Sequence, residues 1–205
     1  MKIFVGCSSA VDLSKDYYDD SYLISSLLAK NGYDLVFGCY DKGIMGSVYK
    51  GFLDNNREVI GVLDKAYLEG TENYILSEKI VTDSVFERTK KLYELADACL
   101  FLPGGIGTYA EVFSFLDEKR TRMDNKKIIV YNYNGYYDRL IDFINYSVKE
   151  KFNEKKIIND DLVIINNKDY ILDILKEENL WIWKRWLLFV SNMVLYFKVV
   201  KYMEV

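Results

Sequence analysis

No histidine occurs among the 205 residues of this chain. That absence removes the commonest zinc ligand, any Ser-His-Asp or Cys-His arrangement, and any histidine general base. Proton transfer then falls to carboxylates, with cations to support them. Cysteine is scarce: Cys7, Cys39 and Cys99 are odd in number, widely spaced, and set in apolar or small-residue stretches. No disulfide framework is expected, and a reducing cytoplasm fits. The opening run Met1-Lys2-Ile3-Phe4-Val5-Gly6 is too short for a signal peptide and reads as a first strand. A net charge of −4 with a pI near 5.1 argues against nucleic acid as a partner, while leaving room for a local positive pocket. Proline occurs once, at Pro103.

That proline lies in the most informative stretch, Leu102-Pro103-Gly104-Gly105-Ile106-Gly107-Thr108-Tyr109-Ala110-Glu111. It follows an apolar strand at 98–101 and leads into an apolar helix. Three glycines in four positions allow positive φ and close approach to a ligand, at an entropic cost of ~1 kcal/mol each. A helix beginning near Thr108 would aim its free N–H groups and positive dipole end at the turn, making an anion site suited to phosphate. Glu111 lies three residues later on the same face. The same Thr108-x-x-Glu111 spacing is also a capping box, in which the two side chains satisfy only backbone donors. A plain capped helix needs no glycine cluster, which favours the site.

The remaining chain alternates short apolar strands (3–5, 34–37, 58–62, 79–82, 98–101, 127–131 and 162–165) with helical segments. The first helix stops at Asn31-Gly32, and a second is expected over about 47–55. Strands with little polar alternation indicate a parallel sheet covered on both faces, an α/β fold of Rossmann-like order. Ligands bind such sheets at the carboxyl ends of the strands, where the turns at Gly6, Gly38 and Pro103 gather. Ser8 in the first turn and Gly43, Met45 and Gly46 in the second are therefore candidate nucleotide-binding residues, although helix-strand close packing would equally explain Gly43 and Gly46. The stretch 63–80 lacks a clear period and reads as a loop over the site. Ser84-x-x-Glu87 is a second capping box.

Intact from Pro103 to Glu111, Pro-Gly-Gly-x-Gly-Thr-x-x-Glu resembles the signature of the LOG family, cytokinin-activating nucleoside 5′-monophosphate phosphoribohydrolases often labelled "lysine decarboxylase". Gly43-Ile44-Met45-Gly46 is similar to that family's Gly-Leu-Met-Gly, and Asn132-x-x-Gly135-Tyr136-Tyr137-Asp138 to another of its passages. Arg88 falls on the arginine of its Met-His-Glu-Arg-Lys element. Three positions depart: Cys39 and Tyr40 replace glycines, and Thr89 replaces the lysine, with Lys90 about 100° further round the helix. The resemblance covers about residues 2–178, one nucleotide-binding and catalytic domain.

The resemblance implies hydrolysis of the N-glycosidic bond of a nucleoside 5′-monophosphate, AMP or a cytokinin riboside monophosphate, by a homodimer without cofactor or metal. Gly104, Gly105, Gly107 and Thr108 would hold the phosphate. Glu111 would act at the sugar, with Arg88 keeping it ionised. A non-catalytic nucleotide sensor of the same fold is the alternative. An NAD-dependent oxidoreductase fits poorly, since Gly6-Cys7-Ser8-Ser9-Ala10 lacks Gly-x-Gly-x-x-Gly, and no lysine stands out for PLP chemistry. The tail, 179–205, holds Trp181, Trp183 and Trp186, and its longest charge-free run, 186–197, falls short of the ~20 residues of a membrane span. Its apolar stripe fits packing on the domain or a second subunit, an interfacial membrane helix, or a segment foreign to the family.

Overall fold

The computed structural model describes residues 1–158 and 160–176. The predicted tail, with its three tryptophans, lies outside the described residues. Seven strands form one parallel sheet: β1 (Lys2–Gly6), β2 (Asp34–Phe37), β3 (Val59–Asp64), β4 (Glu78–Thr82), β5 (Ala98–Phe101), β6 (Lys127–Tyr131) and β7 (Leu162–Ile165). Their spatial order is β4-β3-β2-β1-β5-β6-β7, so the winding reverses between β1 and β5. This is the doubly wound arrangement the apolar strands predicted.

Both faces of the central strands are buried, as a sheet built from crossovers requires. One face packs Phe4, Val36, Cys99 and Phe101 against α3 (Val85–Leu95), α4 (Ile106–Arg122) and α5 (Asp138–Lys149). Alternate residues Ile3, Val5, Leu35 and Phe37 are equally buried. Helices α1 (Lys15–Lys30) and α2 (Gly43–Leu53) pack on each other. The first helix ends as predicted, with Asn31 as C-cap and Gly32 at φ +87°. Residues Met1–Lys168 form one compact unit; a second begins at Asp169, and its described part is α6 (Tyr170–Lys176).

Two helix starts differ from expectation. α2 begins at Gly43 rather than near Ser47, because Gly43 turns the chain at φ +63° and Gly46 already donates its N–H to Lys42 O at 3.0 Å. Glycines that read as a loop are thus the first turn of a helix. The other is α4, which begins at Ile106. The aperiodic stretch after β3 is a loop, with a single 3-10 turn at Lys65–Tyr67. It is fastened to α2 by the Tyr49 hydroxyl, which accepts from Ile75 N at 2.8 Å, and to the residues before α2 by Asp41 N, which donates to the Tyr74 hydroxyl at 3.1 Å.

The α1–α2 crossing depends on Gly51. A Cβ there would collide with Ser25 Oγ and lie 2.9 Å from Ser25 Cβ and 3.1 Å from Ser26 N, so α1 itself would have to move. Helix propensity alone makes alanine better than glycine by ~1 kcal/mol. Overpacking costs typically ~1–3 kcal/mol. The difference leaves Gly51→Ala destabilised by about 1 kcal/mol, seen as a lowered urea midpoint with an unchanged slope.

Candidate active site

Reversal of the winding at β1 and β5 leaves their carboxyl ends open to a ligand. Three backbone bonds stitch the loops there: Leu102 N to Gly6 O at 2.9 Å, Ser8 N to Pro103 O at 3.1 Å, and Met45 N to Ser8 O at 3.0 Å. The three predicted turns therefore do converge. The Ser8 hydroxyl accepts from Ala10 N at 3.1 Å, which leaves its proton free to donate.

Gly105 is the N-cap of α4, and no side chain caps the helix start. Thr108 is thus the third helical residue, so Thr108 and Glu111 do not form the capping box their spacing allows. Nor does the turn use positive φ: Gly104, Gly105 and Gly107 are absent from the left-handed residues, contrary to expectation. Missing Cβ atoms serve another purpose. At Gly104 a Cβ would lie 2.6 Å from Thr108 Cβ, so the glycine admits the buried Thr108 side chain. At Gly105 and Gly107 a Cβ would meet nothing within 4 Å, and both residues are exposed. The first turn of α4 is therefore open to solvent at Gly105 and Gly107 and has no side-chain cap, so an anion can approach it.

Glu111, one turn further, is only 8 % exposed. Opposite it stands Arg88 from α3. That helix starts at a working capping box: Glu87 N donates to Ser84 Oγ at 3.2 Å, and Glu87 Oε2 accepts from Asp83 N at 2.9 Å. Capping sets the first turn, and Arg88 projects from it. Its Nε donates to Val62 O at 3.2 Å, and its Nη2 lies 3.6 Å from Glu111 Oε1. Gly38 makes the remaining room, since a Cβ there would collide with Arg88 Nη2.

Burial pushes the Glu111 carboxyl up to about 7, with Arg88 pulling the other way. The guanidinium therefore does not hold Glu111 fully ionised, as the resemblance implied, because desolvation outweighs one cation at 3.6 Å. Burial and the Glu111 charge push the neighbouring Cys7 thiol up as well. A carboxyl near 7 is half ionised at neutral pH, the condition in which a general base works best.

Other predicted residues lie around this pair. Met45 is partly buried, with Cε 3.4 Å from the Cβ that Gly38 lacks. Gly43 packs on the Ser9–Ala10 backbone, 2.6 Å from Ser9 C to an added Cβ, and Gly46 packs on Asp41. Both also border a cavity of about 400 Å³ with Lys42, Ser47 and Lys50, whose lining does not include Arg88 or Glu111. Thr89 donates to Val85 O at 2.9 Å, and Lys90 sits 4.0 Å from Glu94 on the exposed side of α3. Cys39 adopts φ +58° and is buried, its Sγ 2.6 Å from where a Gly61 Cβ would be.

Two contributors went unrecognised in the sequence: Tyr136 and Tyr137. Their hydroxyls donate to Gly104 O and Leu102 O, both at 2.7 Å. Asn132 orients this turn, accepting from Tyr137 N at 2.7 Å and donating to Asp138 Oδ1 at 2.8 Å. The signal was present, as paired tyrosines in a turn at a strand's carboxyl end, but nothing local says where their hydroxyls go.

The model of a family described as "Possible lysine decarboxylase" matches residues 45–175. The chain belongs to this family. Among its relatives, the cytokinin riboside 5′-monophosphate phosphoribohydrolase LOG2 of Arabidopsis thaliana is 28% identical over 152 residues, 74% of this chain and 71% of that one. The enzyme LOG of Oryza sativa subsp. japonica is 31% identical over 74% of this chain, which spans 63% of that relative's length. A molybdenum cofactor binding protein from Rippkaea orientalis shares the fold, with a TM-score of 0.63 at 20% identity over 86% of this chain and 95% of that one. Among the described residues no helix is long and apolar enough to cross a membrane.

Glu111 carries a stability consequence. Its folded value, about 7, lies above the ordinary 4.5, so between these pH values the folded state binds more protons than the unfolded one. Stability from this group is thus present at low pH and lost as pH rises through 7. Glu111→Gln is expected to stabilise the protein at pH 8 by about 3 kcal/mol, the shift with the pull of Arg88 already contained in it, and to change little at pH 4. Thermal denaturation at the two pH values checks it.

Proposed function

We propose that this chain hydrolyses the N-glycosidic bond of a nucleoside 5′-monophosphate, giving the free base and ribose 5-phosphate. The observation that carries the reading is the Arg88–Glu111 pair, Glu111 buried and Arg88 partly buried, 3.6 Å apart and about a turn and a half from the uncapped start of α4. The 5′-phosphate would lie at the N–H groups of Gly105, Ile106, Gly107 and Thr108, with Ser8 beside them. That places C1′ near Glu111.

As the bond to the base breaks, positive charge develops on the sugar, as in glycoside hydrolysis. The Glu111 carboxylate stabilises that charge and takes a proton from the water that attacks C1′. The departing base takes up a proton, and one water is consumed. Arg88, fixed through Nε to Val62 O, keeps a forked donor for ribose hydroxyls or phosphate. The reaction as written needs no metal or redox cofactor. Cytokinin bases are the proposed leaving groups on the strength of the relatives' names, and adenine on the motif resemblance alone; a homodimer in the cytoplasm is proposed with them.

Release of free base from a panel of nucleoside 5′-monophosphates, run beside the matching nucleosides and Glu111→Ala, tests the reading. Release from monophosphates alone, with at least a ~1,000-fold loss in the variant, is the expected result. Binding without release from any substrate would replace the hydrolase by a nucleotide sensor. A second variant probes the arginine: Gly38→Ala drives a methyl into the Arg88 guanidinium, and kcat is expected to fall about 100-fold with the protein still folded.

A further inference from the structure

Two tyrosine hydroxyls lie beside the glycine turn in a fixed order. Tyr136 donates to Gly104 O at 2.7 Å, and the hydroxyls of Tyr109 and Tyr136 lie 2.9 Å apart. Tyr136 has one proton, and the carbonyl has none to give. Tyr109 must therefore be the donor of the pair. The chain runs Tyr109 to Tyr136 to Gly104 O, and burial pushes the Tyr136 hydroxyl up, so the proton stays in place at neutral pH.

Carbonyl and N–H of a trans peptide point in opposite directions, and no described peptide is cis. Holding a carbonyl on one side thus fixes the next residue's N–H on the other. Ser8 N holds Pro103 O at 3.1 Å, which sets the N–H of Gly104. Tyr136 holds Gly104 O, which sets the N–H of Gly105. Tyr137 holds Leu102 O, and the next residue, Pro103, has no N–H to direct. From Ile106 onward the helix itself sets the direction. Gly105 is the one donor of the turn whose aim depends on a side chain still 39 % exposed.

We infer that Tyr136, held by Tyr109, is a positioning residue that aims the Gly105 N–H at the substrate's phosphate. The inference rests on the phosphate placement proposed above. It needs only the hydroxyl, since the Tyr136 ring keeps its edge-on contacts with Tyr17 and Tyr137 when the oxygen is removed.

The experiment is calorimetric binding of ribose 5-phosphate and of adenosine to the wild-type chain, Tyr136→Phe and Tyr109→Phe, followed by steady-state kinetics with the monophosphate. Expected is about a tenfold weaker Kd for ribose 5-phosphate in Tyr136→Phe, the worth of one misdirected hydrogen bond to a charged group, with adenosine binding unchanged. KM rises in step, while kcat moves less. Tyr109→Phe, which leaves the contact to Gly104 in place, loses about two- to threefold. Equal loss for ribose 5-phosphate and adenosine would mark general damage and overturn the inference, as would wild-type binding in both variants. Should Tyr136→Phe fail to fold, Tyr109→Phe alone decides. A wild-type chain that binds no ribose 5-phosphate would sink the phosphate placement itself, whereas normal binding by wild type and both variants would sink only the role of Tyr136.

Discussion

Parallel pairing of β1 with β5 is the constraint on which the site depends. It registers Gly6 against Phe101, so the chains leaving the two strands begin side by side. Backbone bonds from Leu102 to Gly6, from Ser8 to Pro103, and from Met45 to Ser8 then extend the pairing into three loops in series. Gly6 is a glycine because that closeness leaves no choice: a Cβ would enter the rings of Phe101 and Phe4, under 3 Å away. The loops are therefore an extension of the sheet in hydrogen-bonding terms. The hydroxyls of Tyr136 and Tyr137 hold Gly104 O and Leu102 O beside these bonds, and the start of α4 is left without a side-chain cap.

A second constraint is the burial of Glu111. Moving a carboxylate out of water disfavours its charged form, and one guanidinium at 3.6 Å offsets only part of that cost. At position 89 a threonine bonds back to its own helix, and Lys90 is turned toward Glu94, so among the described residues Arg88 is the cation that faces Glu111. The departure from the family pattern thus has an electrostatic reading. With a single cation the carboxyl sits near neutrality, and the developing positive charge of a sugar would complete its ionisation.

The fold was legible in the sequence because parallel strands buried on both faces have to be apolar throughout, and Asn31-Gly32 or Ser84-x-x-Glu87 mark helix ends through chemistry local to them. Arg88 and Glu111 were legible as candidates, Glu111 from its glycine turn and Arg88 from the family resemblance. Their distance was not, because it is set by Gly38 and Val62, remote from both in sequence. Glycine was the least legible residue. Gly104 admits Thr108, Gly43 admits Ser9–Ala10, and Gly38 admits a guanidinium, and in none of these does local pattern reveal the partner.

Cys39 shows how the same scaffold tolerates departure. A non-glycine residue at φ +58° carries roughly 1–2 kcal/mol of backbone strain, and here its side chain packs against Gly61. The compensation is across the strand: Gly61 in β3 has no Cβ, so the Cys39 side chain fits where a larger pair would collide. Cys39 and Gly61 are thus one packing decision. Its electrostatic effect is small, because burial keeps the thiol protonated, pushed up to about 11, so it adds no negative charge beside the guanidinium. Among the described residues Arg88 consequently has one anionic partner, Glu111, beside its bond to Val62 O. Cysteine at a position where the resembled motif carries glycine therefore adds no charge, and the Arg88–Glu111 pair stays intact beside it.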